Sequence, residues 1–185
     1  MRHVHTPQPQ RFVLHYALHR IASGHVLMAA TEQGVAAVLL GDSAETLMLD
    51  LQQRFPLAQL HPGGALLQRW GSAVLAVVSH PSVQHMVPLD VLQGTAFQHK
   101  VWRALRSIPA GQTRTYGELA RSIGHPQAMR AVASACAANP VAVLVPCHRV
   151  LRSDGGLGGY RWGLERKQRL LQLEAQYSHN ADLKR

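Results

Sequence analysis

The sequence predicts an α/β protein of the α+β kind, with a small N-terminal antiparallel sheet and helices followed by a mainly helical C-terminal domain. Three observations support this fold class. Short apolar runs bounded by glycine fill the region up to Gly41, apolar residues recur at helical spacing after residue 95, and basic side chains are concentrated in the second half. Of the 185 residues, 46% are hydrophobic and 16% are charged, which is typical of a folded globular chain.

The N-terminal α/β domain is predicted over residues 12–94, after a flexible tail at residues 1–11. Its strand segments are the alternating stretch 12–19 and the apolar runs 25–30 and 35–40. Its helices run from a cap at Asp42 or Ser43 to about Phe55, and from Leu66 to Val78. Prolines and Gly94 interrupt the pattern after the second helix, so we place the domain boundary near Gly94.

The C-terminal domain, predicted over residues 95–177, consists of helices with clear start signals. Thr95 and Gln98 form a capping box before the first helix, and Thr115 caps the second. The remaining segments are a glycine turn at 124–126, a helix at 127–138, a strand or extended segment at 141–145, a helix at about 164–175 and a flexible tail at 178–185. The helices on either side of the glycine turn predict a helix-turn-helix, although helical hairpins without a nucleic-acid role share this pattern.

Charge is divided unequally between the two halves. Residues 1–95 carry five basic and five acidic side chains, whereas residues 96–185 carry 14 basic and five acidic ones and account for the net charge of +9. A basic domain beside a neutral one indicates a polyanionic partner for the C-terminal part, because binding phosphates releases counterions. A well-solvated surface without such a partner is the alternative.

The sequence lacks the apolar segments of a membrane or secreted protein. No apolar run approaches the roughly 20 residues of a membrane span, and the N-terminus has no secretory signal, so a cytoplasmic protein is expected. Two cysteines, Cys136 and Cys147, are too few for a disulfide framework and are consistent with a reducing compartment. One of them could therefore be a reactive thiol.

The predicted helix 127–138 contains mostly small side chains after Arg130. Small side chains permit close packing inside a protein, which is one interpretation of the pattern. In a basic domain, a slim helix with one arginine near its start could instead enter the minor groove of DNA, which is about 6 Å wide. Arg130 would then be the probing side chain.

The segment Pro146-Cys-His-Arg-Val150 places a cysteine between a buried run and two basic side chains. A thiol attacks carbon as its thiolate, and His148 and Arg149 would supply the base and the positive field that lower its pKa. An inert buried cysteine beside a surface histidine is the alternative, and that description fits Cys136 among its alanines. Glu174, near the end of the last helix, could orient the histidine, although alone it would be considered a solvated carboxylate.

Together these residues resemble a known family. Segment 146–150, preceded by Arg130 and Asn139 and followed by Gly159-Tyr160 and Glu174, is similar to that of the O6-alkylguanine-DNA alkyltransferases, or methylated-DNA–protein-cysteine methyltransferases. The resemblance runs from about residue 12 to residue 175, in particular to the C-terminal repair part of bacterial adaptive-response proteins. It implies an N-terminal α/β domain and a helical C-terminal domain that performs the reaction.

The resemblance implies direct DNA repair, in which an alkyl group on O6 of guanine, with O4-alkylthymine as a further candidate, is transferred irreversibly to Cys147. His148 and Glu174, with a bridging water, would take the thiol proton, and Tyr116 would protonate or hydrogen-bond the departing guanine. The thioether product is stable, so each molecule would act once, as a monomer and without a cofactor.

The resemblance also implies how double-stranded DNA is bound. The slim helix would enter the minor groove while the damaged nucleotide flips out, because its O6 carbon cannot reach a buried thiol from inside the duplex. Arg130 would fill the gap and Tyr116 would lie against the flipped nucleotide. The residues expected at the DNA are Arg130, Tyr116, Ala131, Ser134 and Asn139, and those expected at the guanine, largely through main-chain groups, are Asn139, Val150, Tyr160 and Arg161.

The chain departs from the family pattern in two respects. It has no cysteine before Cys136, whereas some relatives bind zinc through N-terminal cysteines and histidines, so we predict no metal site. Ala142 stands where some relatives have a proline that packs against bulky alkyl groups. This difference predicts weaker reaction with benzylated than with methylated guanine.

Two other functions fit parts of the pattern. A DNA-lesion sensor or transcription regulator would use the helix-turn-helix without alkyl transfer, but catalytically silent relatives replace the cysteine that this chain keeps. A thiol hydrolase would use the same cysteine, histidine and acid, but it gives no reason for the basic half or the slim helix.

Overall fold

The computed structural model describes residues 12–82 and 87–182, so the tail predicted at residues 1–11 and the last three residues of the chain lie outside the described residues. The first half contains both strands and helices, and the second half is mainly helical. In chain order the elements are β1 (Phe12–Ile21), β2 (Gly24–Ala30), β3 (Val35–Gly41), α1 (Ala44–Arg54), β4 (Ala58–Pro62), α2 (Ala65–Ser79), α3 (Ala96–Arg106), β5 (Arg114–Thr115), α4 (Tyr116–Ser122), α5 (Met129–Ala138), the 3₁₀ turn η1 (Cys147–Arg149), β6 (Val150–Leu151) and α6 (Leu164–Asp182). Within the described ranges, none of the helices has both the length and the apolar character needed to cross a membrane.

Four strands form one sheet in the order β3-β2-β1-β4. The three strands that the sequence predicts are present and pair antiparallel. The sequence does not predict β4, which pairs parallel to β1, with Phe12 opposite Ala58 and Tyr16 opposite Pro62. This short segment has a single large apolar residue, Leu60, and ends in proline, so its strand conformation depends on the edge that β1 offers.

Both faces of the sheet are buried at β2 and β3. Val26 and Met28 of β2 belong to a core shared with α2 and the C-terminal helices, whereas Leu27 and Ala29 pack with α1. Successive residues of a strand point to opposite faces, so a strand covered on both sides appears as a continuous apolar run. The first core extends into the helical half through residues such as Trp102, and the two halves are therefore packed together.

The outer edge of β3 is covered by two other segments. Val35 exchanges backbone hydrogen bonds with residues 88–90, at 2.8 and 3.0 Å. Further along, Val38 N donates to Pro140 O at 3.0 Å, and Ala142 N donates to Val38 O at 2.9 Å. The chain between α5 and the turn η1 is thus attached to the sheet of the N-terminal half.

Helices α3 and α4 begin where the sequence predicts. Thr95 and Thr115 each exchange hydrogen bonds with the residue three positions later, which satisfies backbone donors of the first turn. Helix α3 packs against α5, and Trp102 Nε1 donates to Ala135 O at 2.8 Å. This carbonyl lies in the last turn of α5, where helix carbonyls lack partners within the helix.

Residues 141 and 142 of the predicted strand or extended segment bridge to β3, but the chain then turns tightly at residues 142–145, so the prediction is wrong for that part. Leu144 N donates to Ala142 O at 2.7 Å, and Val143 has a φ of +65°, which β-branched residues rarely adopt. The run is apolar because it is buried, and it meets the sheet only through the bridge between Val141 and Val38. The conformation is maintained by a side chain, Asn139, that sequence periodicity does not take into account.

The last helix is longer than predicted. The sequence analysis ends it at about residue 175 and places a flexible tail from residue 178, whereas α6 continues to Asp182. Residues 176–182 contain neither glycine nor proline, so no residue in this stretch stops a helix.

Candidate functional site

Cys147 is the first residue of η1 and opens into a cavity of about 270 Å³. Only 3% of the residue is exposed. The cavity is lined by Tyr116, Ala133, Cys136, Ala137, Cys147, Gly159, Tyr160 and Arg161. A larger, more open groove of about 740 Å³ lies between the start of α6 and Ser23, but no cysteine lines it. The smaller cavity is therefore the place where a thiol meets a ligand-sized space.

Asn139, the residue that ends α5, holds the cysteine and the turn before it. Its amide nitrogen donates to Val145 O at 2.8 Å and to Cys147 Sγ at 3.3 Å, and its amide oxygen accepts from Val141 N at 2.9 Å. Asn139 is fully buried, so these bonds replace backbone pairing that the turn does not make. The side chain fixes where the sulfur lies.

The Cys147 thiol is protonated at neutral pH. Burial raises its pKa to about 11, and the hydrogen bond from Asn139 and the charge of Lys167 offset only part of this effect. The sequence predicts that His148 and Arg149 lower this pKa. That expectation is wrong, because Arg149 is paired with Glu174 and the buried His148 is uncharged at pH 7.

Glu174 lies at the centre of a buried polar cluster next to the cysteine. Its carboxylate accepts from His148 Nε2 at 2.8 Å, from Arg149 Nε at 3.0 Å and Nη2 at 2.8 Å, and from Gly111 N at 3.0 Å. The Arg149 guanidinium also donates to Ile108 O at 2.5 Å. These contacts fix the carboxylate and, through it, the imidazole ring.

The ionisation of this cluster determines which nitrogen of His148 can act as a base. Burial lowers the pKa of His148, and its bond to Glu174 counters only part of that shift. Burial raises the pKa of the Glu174 carboxyl, but hydrogen bonds from His148 and Arg149 outweigh burial and hold the pKa below its ordinary value. The anionic Glu174 accepts from Nε2–H, so Nδ1 is the basic nitrogen. Nδ1 is buried, and no group within residues 12–82 and 87–182 is hydrogen-bonded to it.

Tyr116 reaches the cavity because β5 and β6 bring the start of α4 beside the end of η1. The two strands pair in parallel, with Arg114 opposite Val150. Burial raises the pKa of Tyr116 to about 12, so its hydroxyl is a donor at neutral pH. Gly158, at φ +66°, lets this side chain approach, since a Cβ there would lie 2.9 Å from the tyrosine oxygen.

Tyr160 and Arg161 form another wall of the cavity. The Tyr160 ring stands edge-on to that of His148, with centroids 6.5 Å apart, and burial raises its pKa well above the ordinary value. The Arg161 side chain contacts α1, where Nη2 donates to Asp50 Oδ1 at 2.9 Å.

Lys167 is a site residue that the sequence analysis does not identify. The residue is fully buried, and its ammonium donates to Val150 O at 2.6 Å, to Leu157 O and to Gly159 O at 3.4 Å. It therefore joins the end of η1 to the glycine-rich loop, residues 155–159, whose last residue lines the cavity. One sequence signal could have identified it. Lys167 lies seven positions before Glu174, a spacing that places both residues on the same face of a helix.

The small residues of α5 lie on two sides of the helix. Arg130, Ala131 and Ser134 are exposed, whereas Val132 and Ala135 are buried. Exposed small residues contribute nothing to packing inside the protein, so the packing interpretation does not account for Ala131 and Ser134.

The structure separates the predicted site residues into two groups. Those in or beside the cavity are Cys147, His148, Glu174, Tyr116, Asn139, Val150, Tyr160 and Arg161. Those on the outer face of α5 are Arg130, Ala131 and Ser134.

Ala142 is fully buried and does not line the cavity. Among the residues that the structure describes, no three His, Cys, Asp or Glu side chains are grouped so as to hold a metal ion.

Residues 96–176 match the family model described as "6-O-methylguanine DNA methyltransferase, DNA binding domain". The chain is 48% identical over 167 residues to the bifunctional transcriptional activator/DNA repair enzyme Ada of Escherichia coli K12, covering 90% of this chain and 47% of Ada. It thus spans about half the length of the curated relatives it matches.

Solved structures from Mycobacterium tuberculosis share the fold. The O6-methylguanine methyltransferase of that organism is 34% identical, with a TM-score of 0.72, and the match covers 88% of this chain and 93% of that one. The OGT protein of M. tuberculosis, solved in complex with DNA, is 33% identical, with a TM-score of 0.73 and the same coverage.

Proposed function

Since the chain belongs to the O6-methylguanine DNA methyltransferase family, we propose that it repairs DNA by moving an alkyl group from O6 of guanine onto Sγ of Cys147. The observation that carries this proposal is the buried Cys147 opening into a ligand-sized cavity, beside the bonded pair of His148 and Glu174. Methylated guanine is the principal substrate, and O4-alkylthymine is a further candidate.

The transfer forms an Sγ–carbon bond as the carbon–O6 bond breaks, so guanine regains a proton and the cysteine becomes a thioether. The thiol proton passes through a bridging water to Nδ1 of His148, and Glu174 stabilises the imidazolium that forms. Tyr116 hydrogen-bonds or protonates the departing guanine. Since a thiol of pKa about 11 is not ionised in advance, this base is required for attack.

Main-chain groups recognise the guanine edge in this proposal. The carbonyls of Cys147 and Val150 and the amide of Arg161 meet the base, while Asn139 braces the turn and Tyr160 closes the wall. Val150 O already accepts from Lys167, but a carbonyl has two lone pairs and can accept a second donor from guanine.

Double-stranded DNA binds through its minor groove to α5, with α4 and α5 acting as a helix-turn-helix. The exposed Ala131 and Ser134 give α5 the slim face that a narrow groove requires, and Arg130 fills the gap left by the flipped nucleotide. Tyr116 lies against that nucleotide, and Asn139 connects α5 to the turn that precedes Cys147. The basic residues of the C-terminal half contact the phosphates.

Each molecule acts once, because a thioether is stable and is not hydrolysed under mild conditions. We propose a monomer without cofactor or zinc that acts on bacterial DNA in the cytoplasm, with the domain division near Gly94 and the repair reaction in the C-terminal part. Stoichiometric zinc in elemental analysis of the purified protein would contradict the prediction about metal.

The alternative function, a transcription regulator without alkyl transfer, is not favoured, since the chain keeps Cys147 with His148 and Glu174 beside it.

The test is the intact mass of the protein after mixing with a duplex oligonucleotide that carries one O6-methylguanine. We expect a gain of one methylene mass, mapped to Cys147 by peptide analysis and matched by loss of the lesion. The Cys147→Ala variant must show no gain. An unchanged mass together with tight binding of the lesion would favour a sensor.

A further inference from the structure

The Arg161 side chain connects the wall of the cavity to the other half of the molecule. The residue lines the cavity beside Cys147, and its guanidinium donates to Asp50 Oδ1 of α1 at 2.9 Å. The two residues are 111 positions apart, and both side chains are only partly exposed. No other ion pair among the described residues links a residue of this cavity to the N-terminal half.

Asp50 is shared between two arginines. Arg54 Nε donates to the same Oδ1 at 3.1 Å, and burial, followed by the charge of Arg161, lowers the pKa of Arg54. One carboxylate thus stands between two guanidinium groups. Without it, two like charges would face each other, and Arg161, the more exposed of the two arginines, would move away.

A second contact fixes the other end of the same segment. Arg166 Nη1 donates to Trp162 O at 2.9 Å, while Nη2 donates to Ser23 O at 2.9 Å and also bonds Asp42. The stretch that contains the cavity wall is therefore attached to the N-terminal half on both sides, by Arg161 and by Arg166.

We propose that Asp50 is a positioning residue for alkyl transfer, acting through Arg161 on the cavity wall at residues 159–161. This inference rests on the proposed function. The wall presents the Arg161 amide to the base, and in-line attack by Cys147 tolerates little displacement of that base. The N-terminal half thereby contributes a residue to the reaction without touching the substrate.

The experiment compares Asp50→Asn with Glu45→Gln in single-turnover reactions with the O6-methylguanine duplex. Both changes remove one negative charge from α1. Among the described side-chain hydrogen bonds, however, Glu45 accepts only from Ser43 and has no bond to the cavity wall. We expect Asp50→Asn to lower the rate at saturating DNA by roughly three- to tenfold, with little change in the DNA concentration giving half the maximal rate. Glu45→Gln should match the unmodified protein in both quantities.

Three further variants separate positioning from a general loss of structure. Arg161→Gln removes the same bond from its other side and should lower the saturating rate to a similar extent, and the double variant should be no slower than either single one. Asp50→Glu keeps the carboxylate and should recover most of the rate. Thermal midpoints are measured for all variants.

The outcomes distinguish this inference from the proposed function. If the unmodified protein gains no methyl group, the proposed function fails. If it reacts but Asp50→Asn matches Glu45→Gln, or if the losses of Asp50→Asn and Arg161→Gln simply multiply, Asp50 does not act through Arg161. A rate loss that follows the thermal midpoint and is not recovered by Asp50→Glu would also overturn the inference.

Discussion

The buried thiol of Cys147 and the uncharged imidazole of His148 predict a distinctive pH dependence of alkyl transfer. A nucleophile that had to ionise beforehand, with a pKa of about 11, would make the rate rise about tenfold per pH unit across the neutral range. With His148 as the base, the rate depends instead on the neutral imidazole, whose pKa burial lowers from its ordinary value. The rate should therefore fall only in acid, at a pH lower than the ordinary pKa of a histidine, and stay level from neutral pH to about pH 9.

The measurement is the single-turnover rate at saturating duplex between about pH 5 and pH 9. The control is the His148→Gln variant, which should be slow throughout and should lose the plateau. A rate for the unmodified protein that climbs steadily across the whole range would show that prior ionisation of the thiol limits the reaction.

Lys167 predicts a stability effect at a residue that makes no contact with solvent. Lys167→Met preserves most of the aliphatic length but leaves carbonyls of Val150 and the glycine-rich loop without their donor. We expect the free energy of unfolding to fall by roughly 1–3 kcal/mol, measured by denaturant titration. The matched change at the exposed Lys100 should stay within about 0.5 kcal/mol, and equal effects at both sites would contradict this role.

At single positions, the neighbours of Cys147 and its distant partner Glu174 were predictable, but the effect of His148 and Arg149 on the Cys147 pKa was not. Cys147 and His148 are neighbours in the chain, and the structure places Glu174 against His148 as the resemblance implies. Lys167 was missed because a lysine on a helix is normally exposed, and only the carbonyls that gather around it explain its burial. The pairing of Arg149 with Glu174 was missed because the sequence analysis assigned this carboxylate to His148 alone.

The exposed small-residue face of α5 predicts how bulky substitutions affect DNA binding. Ser134→Phe places a large ring on an exposed position, so the fold should tolerate it, but the ring would obstruct a groove about 6 Å wide. We expect the affinity for lesion duplex to fall by at least about tenfold, or about 1.4 kcal/mol. Fluorescence anisotropy measures this, using the Cys147→Ala background so that no transfer occurs.

The control is Gln68→Phe on α2, an equally exposed helical position in the half with no net charge. The affinity of this variant for lesion duplex should equal that of the Cys147→Ala protein without a further change. Tight binding by Ser134→Phe would place the DNA elsewhere on the protein.

Elements with local signals were predictable, and those that depend on distant partners were not. Capping residues marked the starts of α3 and α4, because the hydrogen bonds of a cap are made within four residues. Strand β4 needs the edge of β1, which is 46 positions away at Phe12 and Ala58, so its five residues carried no signal of their own. The turn at 141–145 needs the Asn139 amide, and its apolar sequence resembles a buried strand.

For the whole molecule, the one-sided charge predicts strong salt dependence of DNA binding. The C-terminal half carries 14 basic against five acidic side chains, whereas the other half is balanced. The affinity for duplex should fall at least tenfold between about 50 and 200 mM salt, since each phosphate contact releases counterions. Anisotropy titrations at several salt concentrations give the slope, and a slope near zero would mean that the basic half does not face the phosphates.

Residues 140–142, just before the turn that carries Cys147, are bonded to β3, and this attachment affects what happens when the protein is damaged or heated. An uncovered strand edge is a template on which other chains can pair, and here the edge of β3 is occupied by Pro140 and Ala142. Any event that releases this turn displaces Cys147 and frees the edge at once. Inactivation and self-association should therefore begin together, so that molecules still in solution after heating are those that can still react.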